Sequence, residues 1–530
     1  MPMPMRIAFL AAECEPWAKT GGLADVVDAL ARALGQIGSG DLVLPVDVYL
    51  PRYRGIQIPD GAIARTVRVP DPRSAAGVTA LQVIDVEANG YRLRLVDHPP
   101  AFDRESYYGD AKGDYPDNAW RFGLFCRAAL EQLRAEDPPP DLIHLHDWHA
   151  APALLFRDAE PGPKPGARAG RGSRSGPETT TAAADFTAPA SGGARAAGSS
   201  SSTSGMAALL TIHNLAYHGW TPANRLGDLG LAPGDGTVRA GADGLDLLLS
   251  AIERAELVNT VSPGFAAEAL HPEQGMGLDG ALRARGDTFF GILNGLDTDL
   301  WNPATDRSLP ATYSAENRSG KATCRTELLK ELGMDPADRG PLLSMIGRLD
   351  RQKGFDLLAA AAPALVKRGI RLGILGSGSP ELVGSLRKVA AANPDRVAIV
   401  ERFDRDLARR LYAGADGFVM PSLFEPCGTG QMIALRYGTP PIVRATGGLR
   451  DTVIDVDERP QEGTGFKFRP ADPTALLEAC DRFLARFKPG DPDWEALLDR
   501  GMAVSFDWRS ASAPAYIDAY RRAIAIRRGS

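Results

Sequence analysis

Short apolar runs, each followed by a stretch of helical periodicity, recur along most of the chain. This alternation predicts parallel β-sheets with helices on both faces. After the first run, Val26, Leu30 and Leu34 recur at i, i+4 and i+8 and Gly35 follows, which predicts a core-facing helix that stops at the glycine. The predicted strands are residues 6–10, 46–50, 141–145, 209–212, 257–261, 342–346, 372–375, 398–400, 418–420 and 441–443.

The length of the chain and one biased segment predict its organisation. A chain of 530 residues is too long for one compact core and predicts two or three domains. Residues 160–205 are almost wholly Pro, Gly, Ala, Ser, Thr and Arg, with Phe186 as the only aromatic. Such a segment cannot bury enough apolar surface to offset its ordering entropy, so we predict a disordered surface insertion. The remainder suffices for two α/β domains and a small appendix.

Composition excludes several classes of protein. A formal charge of −6 gives no basis for nucleic-acid binding, and no window is long and apolar enough to span a membrane. Glu13 and Glu15 interrupt the first apolar run too early for a secretion signal. The cysteines are odd in number and scattered, which argues against disulfides or a zinc ribbon and predicts a reducing cytoplasm. They are Cys14, Cys126, Cys324, Cys427 and Cys480.

Two glycine-containing segments follow predicted strands and carry basic residues. Residues 19–25, Lys-Thr-Gly-Gly-Leu-Ala-Asp, open into the first helix, where backbone N–H groups could approach a phosphate. A plain strand-to-helix turn is the alternative. Arg348 and Lys353 follow the strand at 342–346, where doubly wound sheets bind ligands, so they could clamp a departing diphosphate. The alternative for this pair is two solvated surface charges.

A third segment, residues 421–431, again lies between a strand and a probable helix. Its Glu425 stands beside a glycine-containing helix start, so one loop could contact both a sugar and its phosphates. A helix-capping carboxylate is the alternative. Cys427 has no evident base partner, so we interpret it as a small lining residue and not as a nucleophile.

A histidine cluster and an acidic pair raise the question of a metal. His144, His146 and His149 cluster, and His213 ends a later predicted strand, but no second cluster offers standard zinc spacing. We therefore interpret these side chains as the polar lining of a cleft. The segment 297–299 reads Asp-Thr-Asp, a pattern that some sugar transferases use for a metal. The basic residues above could neutralise a diphosphate without one, so we predict no metal.

Taken together, these segments resemble the bacterial glycogen synthase and plant starch synthase family over nearly the whole chain outside the insertion. Each match is short, but they occur in the family's order. The matching stretches are residues 19–25, 102–104, 108–109, 115–118, 146–149, 212–217, 293–295, 346–354, 425–428 and 446–449.

The resemblance implies an α/β protein of the GT-B fold, with two Rossmann-like doubly wound domains that face a cleft. The implied domains are residues 1–300 on the acceptor side, 301–508 for the nucleotide sugar, and a final helix, 509–530, that returns to the first domain. In that helix, Tyr516, Tyr520 and Ile524 recur at i, i+4 and i+8. The implied reaction moves glucose from a nucleotide sugar, in bacteria usually ADP-glucose, to an α-1,4-glucan, with retention of configuration and without cofactors.

The resemblance also implies roles for individual residues. Arg348 and Lys353 would bind the diphosphate, and Phe403 would stack on the base where the family often has tyrosine. The implied catalytic residues are Glu425, His213, Arg348 and Lys353. The implied donor-binding residues are Lys19, Gly21, Gly22, Asp25, Asn294, Phe403, Cys427, Gly428 and Thr429. The implied acceptor-binding residues are Asp147, Trp148 and His149.

Three departures from the family pattern leave the donor open between ADP-glucose and UDP-glucose. Thr429-Gly430 replaces the common Leu-Thr, residues 246–249 lack the usual lysine, and Arg402 replaces a frequent small residue beside the implied base site. Two other functions stay open. One is a glucan phosphorylase, which would need pyridoxal phosphate, or another two-domain sugar transferase, and the other is a catalytically silent glucan-binding homologue. Retention is compatible with a covalent glycosyl-enzyme or with attack from the leaving-group side.

Overall fold

The computed structural model describes residues 5–37, 44–110, 112–158, 205–231 and 243–529. The predicted insertion at 160–205 lies outside these residues, apart from Gly205. Within the described part, two mostly parallel sheets each carry helices on both faces. No helix of the described part is both long and apolar enough to cross a membrane.

The first half of the chain builds a nine-stranded sheet and two small hairpins. Its strands are β1 Ile7–Leu10, β2 Val46–Pro51, β3 Ile63–Pro70, β4 Val78–Ala88, β5 Tyr91–Asp97, β6 Gly109–Asp110, β7 Gly113–Asp114, β8 Leu142–His146, β9 Ala207–Ile212, β10 Trp220–Pro222, β11 Gly244–Asp246, β12 Leu257–Thr260 and β13 Phe289–Gly291. Its helices are α1 Gly22–Ile37, α2 Pro99–Phe102, α3 Asn118–Arg134, α4 Asp147–Ala150, α5 Pro152–Asp158, α6 Leu247–Arg254, α7 Pro263–Ala269 and α8 Asp279–Ala284.

The second half builds a six-stranded, fully parallel sheet. Its strands are β14 Leu342–Ile346, β15 Arg371–Leu375, β16 Val397–Val400, β17 Gly417–Met420, β18 Pro441–Arg444 and β19 Phe466–Phe468. The helices are α9 Ser319–Glu331, α10 Phe355–Lys367, α11 Pro380–Ala392, α12 Arg405–Gly414, α13 Gly430–Arg436, α14 Gly447–Thr452, α15 Pro473–Arg486, α16 Pro492–Ala503 and α17 Ala513–Arg528.

The strand orders identify where each sheet binds a ligand. The first sheet runs β13-β12-β9-β8-β1-β2-β5-β4-β3, so the order reverses between β8 and β1. The second runs β16-β15-β14-β17-β18-β19 and reverses between β14 and β17. In open α/β sheets, ligands bind outside the carboxyl ends of the strands at such reversals. The loops after these four strands are therefore the positions at which a site is expected.

All ten strands predicted from the sequence are present, with ends that differ by one or two residues. The antiparallel strands β3 and β4 and the parallel β5 that joins them to β2 were not predicted. β3 has one face open to solvent, and its mixed residues lack the continuous apolar run that marks a buried parallel strand.

The predicted end of the first helix at Gly35 is wrong, because α1 continues to Ile37. A glycine is needed at position 35 because of close packing and not because the helix ends there. A Cβ at this position would lie 2.0 Å from the backbone oxygen of Gly90, in the turn between β4 and β5. The absence of a side chain thus lets the helix lie directly against the sheet edge.

The last helix, α17, packs on the first sheet although it follows the second in sequence. Tyr516, Tyr520 and Ala523 are fully buried in the core around β1, β8 and β9. Just before α17, the chain returns to the first half alongside the segment that leads from the first half to the second. Here the Leu296 amide donates to the Phe506 carbonyl at 2.6 Å. The two halves are therefore joined by two adjacent crossings.

We expect Gly35→Ala to lower the melting temperature by several degrees, because its methyl group would meet a backbone oxygen that cannot move independently. Overpacking of this kind costs about 1–3 kcal/mol. The matched control is Gly280→Ala in α8, where the nearest atom to the new Cβ is the flexible Arg283 Nη2 at 3.9 Å. Thermal unfolding followed by circular dichroism measures both variants. Equal melting temperatures for the two would contradict the packing explanation for Gly35.

Candidate active site

A cleft of about 1590 Å³ lies between the carboxyl ends of the two sheets. Every residue that the sequence analysis assigned to catalysis, donor binding or acceptor binding lines this one cleft. The first half contributes the loops after β1, β8 and β9, and the second half contributes those after β14 and β17. Residues more than 400 positions apart in sequence thus face a common space.

An ion pair between Lys353 and Glu425 occupies the reversal point of the second sheet. Lys353 Nζ lies 2.9 Å from Glu425 Oε1 and 2.7 Å from Oε2, and the Ser422 hydroxyl donates to Oε2 at 3.0 Å. Glu425 is buried, while the ammonium group of Lys353 is partly open to the cleft. An ammonium group has three N–H donors, so one remains for a ligand. Ser422 was not predicted from the sequence.

Arg348 stands on the same β14–α10 loop, nearer the solvent. Its Nε donates to Asp350 Oδ2 at 2.7 Å, and Asp350 Oδ1 accepts from the Lys353 amide at 2.9 Å. One carboxylate therefore fixes both the guanidinium and the turn that carries the lysine. The result is two cationic groups side by side at a strand's carboxyl end, an arrangement suited to a diphosphate.

The glycine loop after β1 differs from the expectation of an open phosphate site. The buried Glu13 carboxylate accepts from the Thr20 amide at 2.6 Å and the Gly21 amide at 3.1 Å, and from the Tyr108 hydroxyl at 2.6 Å. This role of Glu13 was not predicted from the sequence, although Glu13 follows a predicted strand, where residues that face a ligand site are expected. In this structure a carboxylate, not an open anion site, faces these two amides.

Lys19 and Asp25, on the same loop, pair with each other, and Lys19 also lies 3.5 Å from Glu15. Burial raises the pKa of Asp25, and the neighbouring Lys19 ammonium opposes that shift. Arg405, from α12 in the second half, reaches Glu15 at 3.3 Å. This loop is therefore one of the points at which charged side chains of the two halves meet.

Beyond the charged loop after β1, the first half presents buried groups to the cleft. Burial lowers the pKa of His213 and of His149 to about 3, so both imidazoles are neutral at physiological pH. Burial also raises the pKa of Asp147 to about 7, although its Oδ1 accepts from the His213 amide at 2.7 Å. Asp147 has φ of 57°, a rare conformation for a residue with a side chain, which is typical of a functional turn.

Asn294 and Cys427 lie at the floor of the cleft. The Asn294 Oδ1 is buried and has no hydrogen-bond partner among the described residues, so it is free to accept from a ligand. Burial raises the pKa of the Cys427 thiol to about 12, and a thiol in that state is a poor nucleophile. This geometry fits the interpretation of Cys427 as a lining residue.

The implied base site is open to solvent. Phe403 is 78% exposed, and the Arg405 guanidinium lies 5.8 Å from the centroid of its ring. Arg402, one of the departures from the family pattern, donates to Asp404 at 2.8 Å at the same end of the cleft. An exposed ring at the rim of a ligand cleft offers a free face on which a flat base can stack.

Two residues of the Asp-Thr-Asp segment, 297–299, make hydrogen bonds that hold the structure together. Asp297 accepts from Arg32 at 2.9 Å, and the Thr298 hydroxyl donates to Asp507 at 2.6 Å, across the two chain crossings. Asp299 points into solvent with its side chain 82% exposed. Within the described ranges there is no cluster of three His, Cys, Asp or Glu side chains suited to a metal ion.

Comparison with known proteins gives the family. Residues 6–165 and 186–284 match the model of the starch synthase catalytic domain, and residues 340–486 match that of glycosyl transferases group 1. A glycogen synthase of Anaeromyxobacter sp. (strain Fw109-5) is 42% identical over 98% of this chain and 99% of its own length. A glycogen synthase of Syntrophotalea carbinolica is 37% identical over the same shares of the two chains. The chain belongs to the glycogen synthase and starch synthase family.

A solved structure agrees with this assignment. The catalytic domain of starch synthase IV from Arabidopsis thaliana, bound to ADP and acarbose, superposes with a TM-score of 0.82 at 32% identity. The match covers 98% of this chain and 100% of that domain. The predicted GT-B fold is thereby confirmed, and this family member is a glycosyltransferase with glycogen or starch synthase activity.

We predict that Asp147→Asn becomes more stable relative to the wild type as the pH rises from about 5 to about 8. A carboxyl whose folded pKa is raised from 3.8 to about 7 contributes stability that is complete below about pH 4 and is lost as the pH rises through about 7. Asparagine does not titrate, so Asp147→Asn does not lose stability in this way as the pH rises. Melting temperatures of both proteins across the pH range measure the difference.

The control is Asp299→Asn, because the exposed Asp299 side chain carries no burial cost. The difference in melting temperature between Asp299→Asn and the wild type is expected to be the same at every pH. If the difference for Asp147→Asn were equally flat, the buried Asp147 would not be the group that titrates.

Proposed function

We propose that this synthase transfers glucose from ADP-glucose to the non-reducing end of an α-1,4-glucan, with retention of configuration. The observation that carries the proposal is the Lys353–Glu425 pair beside Arg348, which faces neutral, buried sugar-binding groups across the cleft. The relative of known structure that contains ADP and acarbose, a nucleotide and an oligosaccharide, supports both halves of the proposal.

The two cations suit the chemistry of a departing nucleoside diphosphate. As the bond from the anomeric carbon to the phosphate oxygen breaks, negative charge grows on the diphosphate, and a preorganised cation stabilises that charge without reorganising. Lys353 is held by two contacts to Glu425, so its remaining N–H points away from the carboxylate. We infer that Arg348 and Lys353 bind the diphosphate, while Phe403 stacks on the adenine.

Glu425 is suited to the sugar side of the same event. The anomeric carbon becomes positively charged in glycosyl transfer, and a carboxylate close to it stabilises that charge. Two glycines surround this side chain, since a Cβ on Gly428 would lie 3.0 Å from Glu425 Cγ and one on Gly447 would lie 2.0 Å from its backbone oxygen. We infer that this tight packing holds the carboxylate against the transferred glucose.

Beyond the charged loop after β1, the first half supplies hydrogen bonds and aromatic faces. We infer that His213, Asp147 and Asn294 orient the hydroxyl groups of donor and acceptor, and that Trp148 and His149 line the acceptor path. Tyr217 and Trp220 stand on the same side of the cleft, 56% and 54% exposed. Exposed aromatic rings beside a cleft fit the flat, apolar faces of sugar rings.

We also propose the division into residues 1–300, 301–508 and 509–530, which the core around the first sheet, the core around the second sheet and the return of α17 support. A cytoplasmic location is proposed as well. All five cysteines are buried and unpaired, as expected of a protein that folds under reducing conditions.

The deciding assay measures release of ADP or UDP when the purified protein meets glycogen and each nucleotide glucose in turn. We expect turnover with ADP-glucose and a loss of at least about 100-fold in kcat for Lys353→Ala and Glu425→Ala, since each removes charge stabilisation of the transition state. Lys330→Ala, an exposed lysine on α9 outside the cleft, is the matched control and should be fully active. Turnover only with UDP-glucose would keep the reaction and change the donor, whereas no release from either would leave a silent glucan-binding protein.

We predict that Trp220→Ala raises the KM for glucan several-fold and leaves the KM for the nucleotide sugar unchanged, because the exposed indole follows Gly219, which packs against the inferred acceptor residue Trp148. Phe403→Ala should raise the KM for the nucleotide sugar several-fold and leave the KM for glucan unchanged. Initial rates are measured with maltooligosaccharides and the nucleotide sugar varied in turn, which gives the KM for each. If Trp220→Ala changed only the donor constant, the assignment of the two sides of the cleft would be wrong.

A further inference from the structure

A hydrogen bond between two buried histidines joins the cleft to the interior of the first sheet. His146 Nδ1 lies 3.0 Å from His213 Nε2. His146 ends β8, and His213 directly follows the neighbouring β9, in which Thr211 is the register partner of His146. Of these two histidines, only His213 lines the cleft. From the sequence, His146 belongs to the histidine cluster and to the family-matching stretch 146–149 and has no assigned role.

The contact restricts which nitrogen of His213 is left for a ligand. Burial lowers the pKa of both rings, so each imidazole is neutral and carries one proton. One ring must therefore donate and the other accept. In either case Nε2 of His213 is occupied, and only its Nδ1 remains for the sugar.

The surroundings of His146 decide the direction of the hydrogen bond. His146 Nε2 is buried and has no hydrogen-bond partner among the described residues. If His146 accepted at Nδ1, its proton would sit on Nε2 as a buried N–H without an acceptor, which is rarer in proteins than a buried acceptor left vacant. His146 therefore donates from Nδ1, and the proton of His213 lies on Nδ1.

The ring of His146 is also held in place from below. His144 lies under it, with 4.1 Å between the ring centroids, and Phe9 packs at 5.2 Å. His144 has its own partners, since Nε2 lies 2.6 Å from the Thr211 hydroxyl and Nδ1 lies 2.9 Å from the Tyr520 hydroxyl of α17. His144 thus supports the stack but makes no hydrogen bond to His213.

We propose that His146 is a positioning residue that fixes His213 in its Nδ1–H tautomer, so that this N–H is the hydrogen-bond donor presented to the bound sugar. The proposal rests on the proposed function, in which His213 contacts the transferred glucose. A protonated or rotated His213 would present a different donor pattern, and the fixed tautomer removes that alternative.

Kinetics of three variants test the role. His146→Leu removes the hydrogen bond and is expected to lower kcat about 10- to 100-fold, as losses of supporting partners commonly do, with little change in the KM for glucan. His146→Asn keeps an N–H donor near the position of Nδ1 and should recover activity to within a few-fold. The matched control, His144→Leu, is equally buried on the same strand and should lower the melting temperature but retain most of the kcat.

Nitrogen NMR of the histidine-labelled protein tests the tautomer without turnover. The His213 signals, assigned through His213→Asn, should show a protonated Nδ1 and a bare Nε2 in the wild type, and a mixture of tautomers in His146→Leu. A protonated Nε2 in the wild type would overturn the proposal, as would equal kcat losses in His146→Leu and His144→Leu. Absence of glucosyl transfer in the wild type would refute the proposed function alone, because the NMR result stands independently.

Discussion

The contact between Lys353 and Glu425 is the interaction around which the second half of the molecule is arranged. It requires the loops after β14 and β17 to approach closely at the reversal point of the sheet, and several glycines make this possible. A Cβ on Gly354 would lie 2.2 Å from the backbone oxygen of Pro421, and one on Gly448 would lie 2.3 Å from that of Cys427. A larger residue at position 354 would separate the loops after β14 and β17 and with them the two charges, and one at position 448 would push α14 away from the loop after β17.

Away from the charged loop after β1, charge is divided between the two walls of the cleft. The second half supplies the ammonium and guanidinium groups and a carboxylate, while burial keeps His213 and His149 neutral in the first half. A donor with a diphosphate at one end and glucose at the other matches this division, because the phosphates need cations and the hydroxyl groups need neutral hydrogen-bond partners. A cationic histidine on the sugar side would instead compete with Lys353 and Arg348 for the phosphates.

Local patterns in the sequence predicted ten of the strands, and loops that follow these strands line the cleft. Buried parallel strands appear as continuous apolar runs, and residues directly after them, such as His213 and Arg348, reach the carboxyl ends of the sheets. The carboxylate of Glu13 and the contact of His146 with His213 could not be predicted in this way. Both depend on which strands are neighbours in space, and His146 and His213 are separated by 67 residues in sequence. Gly35 was misinterpreted for the same reason, because its partner Gly90 lies in a distant turn.

The return of α17 ties the end of the chain to a buried polar network beneath the cleft. Tyr520 on this helix holds His144, which lies beneath His146, which in turn contacts His213 at the cleft. Asn259 on β12 belongs to the same network, since it accepts from Thr211 at 2.7 Å and donates to the Tyr516 hydroxyl at 3.3 Å. Buried polar groups are costly unless all are paired, so this network has few alternative arrangements. A helix that follows the second half in sequence therefore takes part in the buried network of the first half, and residues of both halves line one cleft.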